Sequence, residues 1–122
     1  NCSKITMKIS IILLKGPYQH QSSDTARLFI ESALKKGHEI QGVFFYQDGV
    51  LNANKHMDPP QDDRNLGKFW QQLAEKNNEM IVCIAAGKRR GINEEICIPG
   101  IKISGLGQLA KMIKNSDRVI TF

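Results

Sequence analysis

A chain of 122 residues, 41% of them hydrophobic and 24% charged, has the length for one domain with one core, and its composition excludes disorder and low-complexity repeats. No apolar run approaches the roughly 20 residues that a membrane helix needs, which points to the cytoplasm. The net charge of +5 points to an anionic partner or substrate, whether nucleic acid, an acidic protein or a small sulfur or phosphate oxyanion, although scattered surface lysines give the same balance with no function.

The opening "MKISIILLKG" has the lysine and apolar run of a secretory signal. Its run, Ile9 to Leu14, is too short for a signal core and leads into Lys15, Gly16 and Pro17 with no small-residue cleavage site. It reads instead as a strand covered on both faces. Met7 reads as the natural start, with residues 1–6 a leader or cloning remnant before a single domain over 7–122.

After the loop "KGPYQHQSS", Ser22 or Ser23 with Asp24 supplies a helix N-cap and a first-turn acid. Ala26, Phe29, Ile30, Ala33 and Leu34 form the helix's apolar stripe, and Lys35, Lys36 and Gly37 close it. Glu39 to Tyr46 is the second strand, ended by an Asp48-Gly49 turn. A loop with Asn52, Asn54, His56 and Pro59-Pro60 leads to a second helix, capped by Asp62 or Asp63, whose stripe is Leu66, Phe69, Trp70, Leu73 and Ala74. "MIVCIAA" is the third strand, and "AAGKRRG" is a loop at its end. A short extended piece in "IKIS" precedes a helix with Leu106, Leu109, Ala110 and Ile113 inward, and Arg118 to Phe122 is the last strand. Buried strands alternating with amphipathic helices predict a single-domain α/β fold, a mostly parallel sheet with helices on both faces and right-handed crossovers. Ligands and chemistry gather at the carboxyl ends of such strands, and Cys83 lies near one.

Cys2, Cys83 and Cys97 contain no pair spaced for a zinc knuckle or a redox Cys-x-x-Cys, so each is a core filler or a reactive thiol. A thiol reacts as thiolate, which neighbouring cations favour, and Lys88, Arg89 and Arg90 follow Cys83 closely enough to serve it if their loop folds back. Inert packing of Cys83 in the apolar strand is the competing reading. His20, His38 and His56 match no metal spacing, and His38 is surface punctuation after a helix. Only His20, in the first strand-to-helix loop, is placed where a base can reach the rim. "SGLG" lacks the spacing of a nucleotide loop and reads as a tight turn. The acids of "PPQDDR" read as caps, and Trp70 and the phenylalanines read as core.

The ordered set "GPYQHQSSDTA", "KKGHEIQGVFFYQDGVLNAN", "PPQDDRNL", "VCIAAGKRRGI", "SGLGQLAK" and "DRVITF" resembles the DsrE/TusD family of intracellular sulfur-relay proteins, most closely its DsrE branch. The resemblance runs from Met7 to Phe122. It implies a sulfurtransferase subunit that carries sulfur as a persulfide on one cysteine, which maps onto Cys83 because the family's carrier lies in a "VC-A-A" motif before "RRG". Cys2 and Cys97 match no family cysteine. The resemblance further implies DsrF/DsrH- or TusC/TusB-like companion subunits in a hetero-hexamer, or else a homo-oligomer, with a TusA-like sulfur donor and a DsrC- or TusE-like acceptor. The sulfur would serve sulfur oxidation or 2-thiouridine synthesis in transfer RNA. No metal or organic cofactor is implied, and direct contact with nucleic acid is not expected. Relatives have a longer connection between "RRG" and "SGLG", which puts partner docking at that edge, and the role of Cys97, in question. The alternatives are a non-catalytic structural subunit and an anion- or RNA-binding module in which Lys88 to Arg90 do the binding.

Overall fold

A computed structural model describes residues 6–61, 63–76 and 78–122. Cys2, Asp62 and nearly all of the expected leader lie outside the described residues. The strands are β1 (Lys8–Leu13), β2 (Glu39–Phe45), β3 (Glu79–Cys83), β4 (Lys102–Ser104) and β5 (Arg118–Thr121). The α-helices are α1 (Ser22–Lys35), α2 (Leu66–Glu75), α3 (Ile84–Arg89) and α4 (Leu106–Lys114), and a 3-10 helix covers Gln47–Ala53. The pairings between these strands are all parallel and the sheet order is β4-β3-β2-β1-β5, as the alternation of buried strands and helices predicts.

The chain steps outward from β1 to β4 and then returns across the sheet to β5. Right-handed crossovers therefore put the helices of the outward steps on one face and the helix of the return on the other. Phe45 of β2 meets Trp70 of α2 edge to face at 5.3 Å, and the alternation of a strand puts positions 42 and 44 on the opposite face. Opposite, Met112 of α4 fills the space over Gly42, and Gln108 donates to Glu79 at 2.8 Å. Alternate residues of β1, β2 and β3 thus enter two different layers of core, which explains why these strands read as continuous apolar runs.

The helix ends differ from the sequence reading. α1 is preceded by Gln21 with no side-chain cap; Ser23 is buried and donates to the Lys15 carbonyl at 3.3 Å, and Asp24 is drawn to Arg64. α2 starts at Leu66 because Asn65, not Asp63, accepts the Lys68 amide at 3.0 Å; Asp63 binds the Arg64 guanidinium instead. The expected inward stripe of α4 is also corrected. Leu106 is 54% exposed, Ile113 42% and Ala110 exposed, so of the predicted stripe Leu109 packs against the core, while the fully buried residue is Met112. The side-chain-free Gly42 beneath α4 draws in Met112.

After β2 the chain tightens into the 3-10 helix rather than a free loop. A Cβ on Gly49 would lie 1.9 Å from the Leu13 carbonyl oxygen, so only glycine permits this approach to the end of β1. Asn52 anchors the segment from inside, donating to the Lys15 and Gly49 carbonyls and accepting from Trp70 Nε1 at 3.1 Å. These bonds bring the segment after β2 onto the carboxyl rim of the sheet, where β3 also ends.

Candidate functional site

Cys83 is the last residue of β3 and, at φ −63° and ψ 124°, the N-cap of α3. The third strand therefore stops three residues earlier than "MIVCIAA" suggests, and the expected rim loop is a helix. Cys83 is 3% exposed. The residues three and four positions on, which share its side of the helix, are the small Ala86 and Gly87, both buried. Ile84, the next residue, is exposed, and Cys83 pairs in register with Ser104, two residues before the exposed Leu106.

α3 ends at a turn built by Gly91 in the left-handed conformation, φ +74°. Ile92 N–H donates to the Gly87 carbonyl at 2.9 Å and Gly91 N–H to the Lys88 carbonyl at 3.5 Å, the paired bonds of a Schellman motif. The cations of "KRRG" thus occupy the negative end of a helix. They do not fold back over the thiol: Lys88 is about 7 Å further along the axis than Cys83 at 1.5 Å per residue. Arg90 is committed elsewhere, Nε donating to Asp48 Oδ1 at 2.7 Å and Nη1 to the Ala86 carbonyl at 3.0 Å. Lys88 and Arg89 are exposed, and no ion pair reaches them among the described residues.

His20 lies in a different cleft of about 450 Å³, lined by Tyr18, Gln19, Gln21, Asp24 and Arg64. Arg64 organises that cleft. It grips Asp24 and Asp63, which hold its guanidinium even more firmly protonated than usual, and it sits 5.2 Å from the centre of the Tyr18 ring. Tyr18 itself has φ +69°, held by its hydroxyl, which donates to the Arg64 carbonyl and accepts the Leu66 amide. His20 is not brought to Cys83. Cys97 is a second buried thiol, bridged through its backbone to Asn54, in a separate cleft with Glu94 and Ile98. Burial, and secondarily the Glu94 charge, pushes its thiol above the ordinary range.

Asp48 is the rim residue that sequence reasoning missed. It was legible as a turn former, but its ion pair spans 42 positions and leaves no local signal. No described helix is long and apolar enough to cross a membrane.

The model of the DsrE/DsrF-like family matches residues 7–122, nearly the whole chain. This chain belongs to the DsrE/DsrF-like family. Within it, the DsrE protein of Allochromatium vinosum, named as a sulfurtransferase, is 45% identical, with 95% of this chain and 98% of the relative covered. Sulfurtransferase TusD of Buchnera aphidicola subsp. Schizaphis graminum is 41% identical over 95% of this chain and all of its own. Both alignments run over 128 residues, more than this chain possesses, so these relatives carry insertions that it lacks. Among solved structures, the ychN protein of E. coli has a TM-score of 0.86 at 23% identity, covering 96% of this chain and all of its own, a likeness of fold. The parallel sheet with helices on both faces is thus the architecture of a DsrE/DsrF-like protein.

Proposed function

We propose that this protein is a sulfurtransferase of a cytoplasmic sulfur relay and that Cys83 carries the sulfur as a persulfide. The observation that carries the reading is the position of Cys83, a thiol at the carboxyl end of a parallel strand and at the N-cap of the following helix, with only Ala86 and Gly87 on its side of that helix. The Cys83 thiolate attacks the outer sulfur of a donor persulfide, forming a new S–S bond, and the donor leaves as a thiolate. An acceptor thiolate then attacks the outer sulfur on Cys83, which leaves as thiolate in turn. Each step is an exchange at sulfur, so no external oxidant or reductant is consumed.

Lys88 and Arg89, exposed and without ion pairs among the described residues, suit an acidic partner, and the apolar Ile84 and Leu106 flank the approach. A TusA-like donor, a DsrC- or TusE-like acceptor and DsrF/DsrH- or TusC/TusB-like companions are the partners that fit, for sulfur oxidation or transfer-RNA thiolation. His20 is given no part, because its cleft lies apart from Cys83.

A transfer assay tests this. Protein loaded from a small persulfide is mixed with an acceptor of the DsrC or TusE type, and sulfane sulfur on each is released as thiocyanate by cyanide. Wild type is expected to load and hand on, whereas Cys83→Ser does neither. Lys88→Glu with Arg89→Glu is expected to load normally and hand on several-fold more slowly. The near-complete burial of Cys83 favours one second reading, a non-catalytic subunit. That reading predicts a folded protein whose Cys83 reacts no faster with iodoacetamide near neutral pH than other buried thiols do.

A further inference from the structure

Resting on the reading of Cys83 as carrier, a difficulty follows from its burial: sulfur exchange needs an incoming thiolate in line with the S–S bond, and a thiol 3% exposed offers no such path. α3 begins at Cys83, so the placement of its first turn sets how open the sulfur is. A helix of six residues has almost no stability of its own. Its C-terminal turn is closed by the Gly91 motif, and its C-cap residue, Arg90, ties it by a side-chain bond to the segment after β2.

The Arg90 guanidinium joins two things. Nη1 binds the carbonyl of Ala86, three residues past Cys83, and Nε binds Asp48 on the 3-10 helix. That 3-10 helix packs against α3 and is itself fixed by the buried Asn52 and by the close approach of Gly49 to β1. Asp48 therefore sits on an anchored segment, and Arg90 links the first turn of the short α3 to it.

We propose that Asp48 and Arg90 form a latch that holds the first turn of α3 in place and so keeps Cys83 closed in the resting protein. Both are positioning residues. They act on the sulfur through α3, and neither touches it.

The test measures alkylation rates by iodoacetamide at Cys83 and at Cys97 in the same folded sample, in a Cys2→Ser background, with peptide mass analysis separating the two sites. Asp48→Asn is expected to speed Cys83 about two- to five-fold, the range that a solvent-open ion pair supports, and to leave Cys97 unchanged. Asp48→Glu restores the wild-type rate. Arg90→Ala speeds Cys83 likewise, and combining it with Asp48→Asn adds nothing further, as expected for one shared interaction. Equal acceleration of both cysteines means general loosening and overturns the latch; so does a Cys83 rate that stays the same or falls. Sulfur loading of wild type is measured alongside. Its absence would sink the carrier reading and leave the accessibility result intact, so the two failures are separable.

Discussion

Two buried cysteines lie on the carboxyl side of the sheet in different settings. Cys83 ends a strand at the start of a helix, whereas Cys97 sits in the connection beyond α3, its thiol pushed up by burial and by Glu94. A folded value above the unfolded one, near 8.5 for a free thiol, means that the folded protein keeps its proton where the unfolded chain has begun to lose it. The stabilising contribution is full below the unfolded value and is lost as pH rises through the folded one. Urea midpoints should therefore fall above about pH 8.5, and Cys97→Ala should flatten that alkaline decline. Asn52 makes a second prediction at this scale. Removing its amide leaves the buried Trp70 N–H and the Lys15 and Gly49 carbonyls short of partners, so Asn52→Ala is expected to cost about 2–3 kcal/mol in urea unfolding. The place of Cys83 at the end of a strand was legible in its apolar run. The pairs Asp48–Arg90 and Asp24–Arg64, 42 and 40 residues apart, were not, because side chains so distant in sequence meet only through the crossovers.

The elements show where pattern reading succeeds and where it gives way to packing. Two cations followed by glycine were read as a helix end at Lys35, Lys36 and Gly37, and the structure has a Schellman turn there, with Gly37 at φ +86°. The same signature at Arg89, Arg90 and Gly91 was read as a loop, because the helix it closes is only six residues long and too short to show a period. α4 shows the other failure. Its hydrophobic stripe exists, but a stripe does not reveal how much of it a neighbour covers, and α4 meets the core through Met112 and Leu109 alone of its apolar residues. Met112→Ala is expected to cost about 2–4 kcal/mol, whereas Leu106→Gln and Ile113→Gln should change stability by less than about 0.5 kcal/mol. Thermal or urea unfolding of the three variants checks the contrast. A large loss from Leu106→Gln would mean that the exposed flank of α4 is covered in solution.

At the scale of the whole molecule, the parallel sheet gathers the carboxyl ends of its strands on one rim. Strands buried on both faces, short connections and right-handed crossovers made the parallel architecture readable from sequence, and they put the ends of β1, β2 and β3 side by side. Loop contents on that rim were less readable, since the 3-10 helix, the Tyr18–Arg64 cluster and α3 all depend on contacts between connections. The rim nevertheless carries Cys83, while Lys88 and Arg89, which have no ion pair among the described residues, lie at the far end of the helix that starts there. The most direct measurement is the intact mass of the protein after exposure to a persulfide donor, with Cys83→Ser and Cys97→Ser in parallel. Wild type and Cys97→Ser are predicted to gain one sulfur atom and Cys83→Ser none. A wild-type protein that gains no sulfur, or a Cys83→Ser protein that gains as much as wild type, would contradict the assignment of Cys83 as the carrier.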